Sequence, residues 1–109
     1  MRLTRLSQVE ALVKRANAGE DITLYFMFRG ETGVYNKYKL HHNSYIRDKT
    51  PGEESSGGKM LCGTFREGEP ENKPVHHMKA SIFGDAEWYD NYWEAWARAL
   101  RNKKEAENG

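Results

Sequence analysis

The sequence predicts an α+β fold: helix, four-stranded mostly antiparallel meander, helix, with both helices packed on one face of the sheet. Three observations carry this. Apolar residues recur at helical spacing near the start, alternate at strand spacing through the middle, and return to helical spacing near the end. The segments between are short and rich in Gly, Pro, Asp and Ser, as turns require. A chain of 109 residues suits one domain with a modest core and is too short for two.

In the first helix, expected over residues 7–18, Ser7 and Glu10 have capping-box spacing. Val9, Leu12, Val13 and Ala16 line one face, and Gly19 can close the helix in the left-handed conformation. Ile22 to Arg29 reads as a strand, with Ile22, Leu24, Phe26 and Phe28 on one side. Tyr25 and Met27 on the other side suggest a strand covered twice. A glycine-bearing turn, residues 30–33, leads to a long strand from Val34 to Arg47. There Val34, Tyr38, Leu40, His42 and Ile46 are expected to share one face. Met60 to Arg66 and Val75 to Phe83 supply the third and fourth strands, and residues 48–58 and 67–74 are exposed loops. The last helix is expected from Asp85, as N-cap, to about residue 103. Trp88, Tyr89, Tyr92, Trp93, Trp96 and Leu100 form its apolar arc, with Trp88 and Trp96 as core anchors. Trp93 and Tyr89 lie where that arc could edge into a partner interface. Residues 102–109 read as a fraying tail.

Composition narrows the function classes. Charged residues make up 30% and hydrophobic ones 38%, so the chain is polar without the signature of disorder. A formal net charge of +1 argues against an acidic nucleic-acid mimic and against a uniformly basic duplex binder. Cys62 is the one cysteine, which excludes an intrachain disulfide. The first residues lead into an amphipathic pattern, not an apolar run, so a cytoplasmic protein without signal peptide or membrane span is expected.

The candidate chemistry is sparse. His41-His42 and His76-His77 flank Cys62, but strand neighbours point to opposite faces. His42 and His76 share the expected core side while Cys62 falls opposite Leu61 and Phe65, so a histidine contact is favoured and no metal site is expected. Cys62 sits in an apolar segment that suits a small buried thiol better than a nucleophile. Neither glycine-rich stretch has the strand-to-helix context of a phosphate loop, and no cofactor is expected. The loop carboxylates are explained by solvation, and an enzyme is not expected.

The more specific feature is the outward set of the second strand: Tyr35, Lys37, Lys39, His41, Tyr45 and Arg47. Aromatic rings interleaved with cations at strand spacing are what a sheet uses to stack bases and neutralise phosphates. An exposed strand face tolerates the same residues without any ligand. The expectation is therefore a small non-enzymatic cytoplasmic binding protein that occupies a larger protein or complex as an inhibitor or adaptor. A phage-encoded factor acting on host machinery would be one example. The alternative is binding of single-stranded RNA, DNA or a nucleotide by the six strand residues.

Overall fold

The computed structural model describes residues 1–52, 58–70 and 78–108. Its elements are β1 (Arg2–Leu3), α1 (Leu6–Asn17), β2 (Thr23–Phe28), β3 (Asn36–Asp48), β4 (Lys59–Arg66), β5 (Met78–Ser81), β6 (Ala86–Tyr89) and α2 (Tyr92–Asn108). The class is α+β, with two helices and one antiparallel sheet whose strand order is β1-β6-β2-β3-β4-β5. The expected four-strand meander is present as β2 to β5. Two further strands extend it, because β6 returns to the free edge of β2 and β1 pairs with β6.

Helix α1 starts one residue earlier than expected and is capped differently. The Gln8 side chain accepts hydrogen bonds from the Thr4 and Arg5 amides at 2.8 and 3.0 Å, a role the sequence pattern gave to Ser7 and Glu10. Gly19 follows with φ of +103°, the left-handed conformation that ends a helix.

Residues 86–89 were expected to be helical and are strand. Trp88, Tyr92 and Trp96 are spaced like one helical face, yet Glu87-Trp88-Tyr89 also alternates. Pairing with β2 (Phe26 opposite Trp88, Tyr25 opposite Tyr89) buries both aromatics on opposite sides. Asn91, not Asp85, caps α2: its Oδ1 accepts from the Trp93 and Glu94 amides at 2.9 and 3.2 Å. The helix then runs through Asn108 instead of fraying at 102. Asn102 is buried there, and its Nδ2 donates to the Glu31 carbonyl at 2.7 Å.

The helices do not share a face. Val9, Leu12 and Ala16 of α1 pack with Leu24, Phe26, Tyr38, Leu40, Leu61 and Trp88. Ala95 and Ala99 of α2 pack with Met27, Tyr89, Tyr25 and Val34. Leu24 and Phe26 alternate with Tyr25 and Met27, so the two clusters lie on opposite sides of β2. Both sides of this strand are apolar, and each needs its own cover. Val34, expected beside Tyr38, belongs to the α2 side.

Glu87 joins three elements on that side. Its carboxylate accepts from Arg98 Nε at 3.0 Å and from the Tyr89 hydroxyl at 3.1 Å, and it meets Arg2 at 3.2 Å. Burial alone would raise its pKa, but these donors and the charges of Arg2 and Arg98 outweigh it and hold the carboxyl below its ordinary range.

Candidate functional site

Two surfaces stand out, one on the sheet and one on α2. The sheet surface begins with an irregularity between β3 and β4. Leu40 pairs with Thr64 and Tyr45 with Cys62, so residues 41–44 of β3 face Gly63 of β4 across the break. Gly63 is also the surplus residue against β5, where Cys62 pairs with Lys79 and Thr64 with Met78. Its φ is +82°, and a Cβ there would lie 2.9 Å from the Ser44 Cα. Only glycine meets both demands without displacing the backbone. The bulge moves His42 out of the core position expected for it. His42 is exposed, with Nδ1 3.1 Å from the Ala16 carbonyl, and Ser44 is buried instead.

This break divides the six strand residues named from the sequence. Tyr35 stands 69% exposed before β3 begins. Lys37 extends under α2, with Nζ 5.2 Å from the centre of the Tyr92 ring, a cation–π distance. Lys39 is paired with Asp21 at 3.0 Å. His41, Tyr45 and Arg47 are brought together beyond the bulge around a hollow of about 520 Å³, joined by Lys79 from β5 and floored by Cys62 and Gly63. Tyr45 is 54% exposed. Arg47 donates one guanidinium hydrogen bond to the Asp48 carbonyl at 2.8 Å, and the Asp48 carboxylate is held by Lys59 at 2.6 Å. Cys62 is buried, in keeping with a packed thiol. Lys79 was not singled out in the sequence, since its place two strands away depends on the register of β4.

The second surface follows from how α2 sits. Small residues, Ala95 and Ala99, let the helix lie close to the sheet. Its large apolar residues therefore face outward. Trp93, Trp96, Ala97 and Leu100 follow i, i+3, i+4, i+7 spacing and form one stripe. Trp93 is 69% and Trp96 42% exposed, against 1% for Trp88 in β6. The Trp96 core anchor expected from the sequence is thus corrected, while the outward edge assigned to Trp93 is seen. Rings meet edge-on from the sheet to solvent: Tyr25 to Tyr92 at 5.8 Å, Tyr92 to Trp93 at 5.2 Å, Trp93 to Trp96 at 6.2 Å. Such contacts hold the exposed rings in place.

A half-open hollow of about 350 Å³ lies on the α1 side, walled by Phe26, Phe28, Tyr38 and Trp88, with Asn36 and Asp85 among its polar lining. Among the described residues, no three His, Cys, Asp or Glu side chains gather as metal ligands would. His76 and His77, and with them the His42–His76 contact suggested by the sequence, lie outside the described residues. No helix among those residues is long and apolar enough to cross a membrane. No family model matches the chain. Neither the curated proteins nor the solved structures hold a match to it.

Proposed function

We propose that the chain is a small non-enzymatic cytoplasmic binding protein that docks the outer stripe of α2 onto a larger protein or complex, as an inhibitor or adaptor. One observation carries the reading: two tryptophans stand in solvent on a helix whose opposite face is already buried. Tryptophan and tyrosine are enriched at the centres of protein interfaces, and a helix presenting i, i+3, i+7 anchors is a common way of entering an apolar groove. The turn after Leu100 carries Arg101, Lys103 and Lys104 ahead of Glu105 and Glu107. The groove that fits the stripe is therefore apolar, with carboxylates at the end that receives these cations.

A photo-crosslinking residue at position 93, introduced in the native host, should give one discrete adduct, and the same residue at Lys14 on α1 should not. With the purified partner, Trp93→Ala should weaken binding by about 2 kcal/mol or more, the scale of an interface hot spot. Equal binding by the Trp93→Ala/Trp96→Ala double variant would remove α2 from the interface.

The alternative, binding of single-stranded RNA, DNA or a nucleotide by the strand face, has narrower support. Three of its six residues share the hollow beyond the bulge, and Lys37 and Lys39 are engaged with Tyr92 and Asp21.

A further inference from the structure

We propose that the half-open hollow on the α1 side is a small-molecule site that takes an aromatic amine, its ring against Phe26, Tyr38 and Trp88 and its ammonium at Asp85. It is independent of docking through α2, which covers the other side of the sheet.

The hollow exists because the sheet cannot be flat. β5 ends at Ser81 and β6 begins at Ala86, yet β2, β3 and β4 lie between the two strands. In a flat sheet they would stand roughly 19 Å apart, whereas the chain from Ser81 to Ala86 reaches roughly 17 Å at full extension. A turn, in which the Gly84 amide donates to the Ser81 carbonyl at 3.2 Å, shortens that reach further. The sheet therefore curls, and β2, β3, β5 and β6 meet around one hollow of about 350 Å³ on its concave side. Among the described residues none of α1 lines it, so the helix fills one end of the curl and leaves the other open. That volume suits a small ring system, and the mouths of curled sheets are frequent ligand sites.

The walls select a flat ring. The Phe26 ring centre is 5.3 Å from that of Tyr38 and 4.5 Å from that of Trp88, which makes a continuous aromatic floor. Phe28 stands half-exposed at the rim. Tyr38 is buried, yet its hydroxyl makes no hydrogen bond among the described residues. A hydroxyl so placed carries a desolvation cost that a polar hydrogen of the ligand relieves.

The polar groups select a cation. Asn36 and Asp85 both lie at the Phe28 end of β2, since Asn36 pairs with Phe26 and Ala86 pairs with Phe28. The Asn36 amide nitrogen donates to the Glu31 carboxylate at 3.0 Å, which leaves the amide oxygen as an acceptor. Neither Asp85 nor Glu31 forms an ion pair among the described residues. Lys79, the cation of the lining, alternates with Ala80, which packs in the α1-side cluster. Its side chain therefore leaves on the opposite side, toward the bulge hollow that it also lines. An ammonium at this end meets acceptors and negative charge, with aromatic rings behind it. A carboxylate there meets repulsion, and an uncharged ring makes no use of Asp85.

The test is a titration of the ¹⁵N-labelled full chain with tryptamine, with indole-3-acetate and with methylamine. Tryptamine should shift the amides of Phe26, Phe28, Tyr38 and Ala86 and the indole N–H of Trp88, and bind at least tenfold tighter than indole-3-acetate. Asp85→Asn, an exposed change that leaves the fold intact, should remove that preference. Tyr38→Phe should weaken tryptamine threefold or more, and Ala86→Leu should abolish binding by filling the hollow, with the remaining spectrum unchanged. Equal affinity for tryptamine and indole-3-acetate in the wild type would overturn the proposal, because the carboxylate would then select nothing. The same shifts from methylamine would overturn it as well, since the ring would contribute nothing. So would an absence of shifts at millimolar tryptamine, or shifts centred on Trp93 and Trp96.

Discussion

Glu87 shows how much one side chain can join. Arg2, Tyr89 and Arg98 converge on it from β1, β6 and α2, and together they hold its pKa below the ordinary 4.5. A carboxyl with a depressed folded-state pKa adds stability above its unfolded pKa and loses it as pH falls through the folded value. Glu20 beside Arg15 and Asp48 beside Lys59 are shifted the same way, but both are exposed and screened. The melting temperature should therefore fall as pH drops from about 5 toward 3, and Glu87→Gln should flatten that fall. An unchanged slope in the variant would assign acid sensitivity to other groups. Two tryptophans provide a second contrast at this scale. Trp88→Ala, at a fully buried site, should cost about 3–5 kcal/mol in denaturant unfolding. Trp96→Ala, on the exposed stripe, should stay within about 0.5 kcal/mol. Reversal of that order would contradict the placement of β6.

Among the elements, the β3–β4 bulge is the least forgiving. Gly63→Ala must adopt a positive φ and also meet the Ser44 backbone, so it should destabilise by about 1–3 kcal/mol. It should also close the hollow at its floor. Wild-type stability for that variant would show that the strand can pair without the break. How far each element was legible depends on whether its cause was local. Alternation in Leu24–Phe28 and helical spacing in Val9–Ala16 are local, and β2 and α1 stand within a residue or two of the expected limits. β6 was missed because Trp88 satisfies both periods, and what favours the strand is a partner about sixty residues earlier in the chain, Phe26. The bulge was missed because Gly63 signals only a weakened strand, while the slip it permits depends on register. Hence Tyr45, Arg47 and His41 were named from alternation, yet their separation from Tyr35, Lys37 and Lys39 was not. The outward turn of Trp93 and Trp96 followed from Ala95 and Ala99, whose small size looks unremarkable beside an aromatic arc.

For the molecule as a whole, the decisive relation is that the two helices cover opposite sides of β2, each with its own cluster. The cover is uneven. α1 lies against β3, whereas α2 lies against β2 and β6, and among the described residues no helix packs over the bulge region of its side. The position of β6 has a consequence for how the chain acquires its structure. As synthesis proceeds, the hairpins of β2 to β5 can pair in order, each contact closing a short loop. The edge of β2 and the residues of β1 must wait for residues 86–89, so the nascent chain carries an unpaired strand edge until those residues have emerged. Such sequence-distant pairing raises contact order, and refolding should be limited to the millisecond-to-second range, on the order of mixed and all-β domains. A chain ending at Asp85 should show no cooperative unfolding transition, and a sharp transition in that truncation would mean the meander is a folding unit in its own right. If it is not, residues 86–108 act as a latch set after β2 to β5 are in place. Premature termination there would release a sticky intermediate instead of a shortened protein.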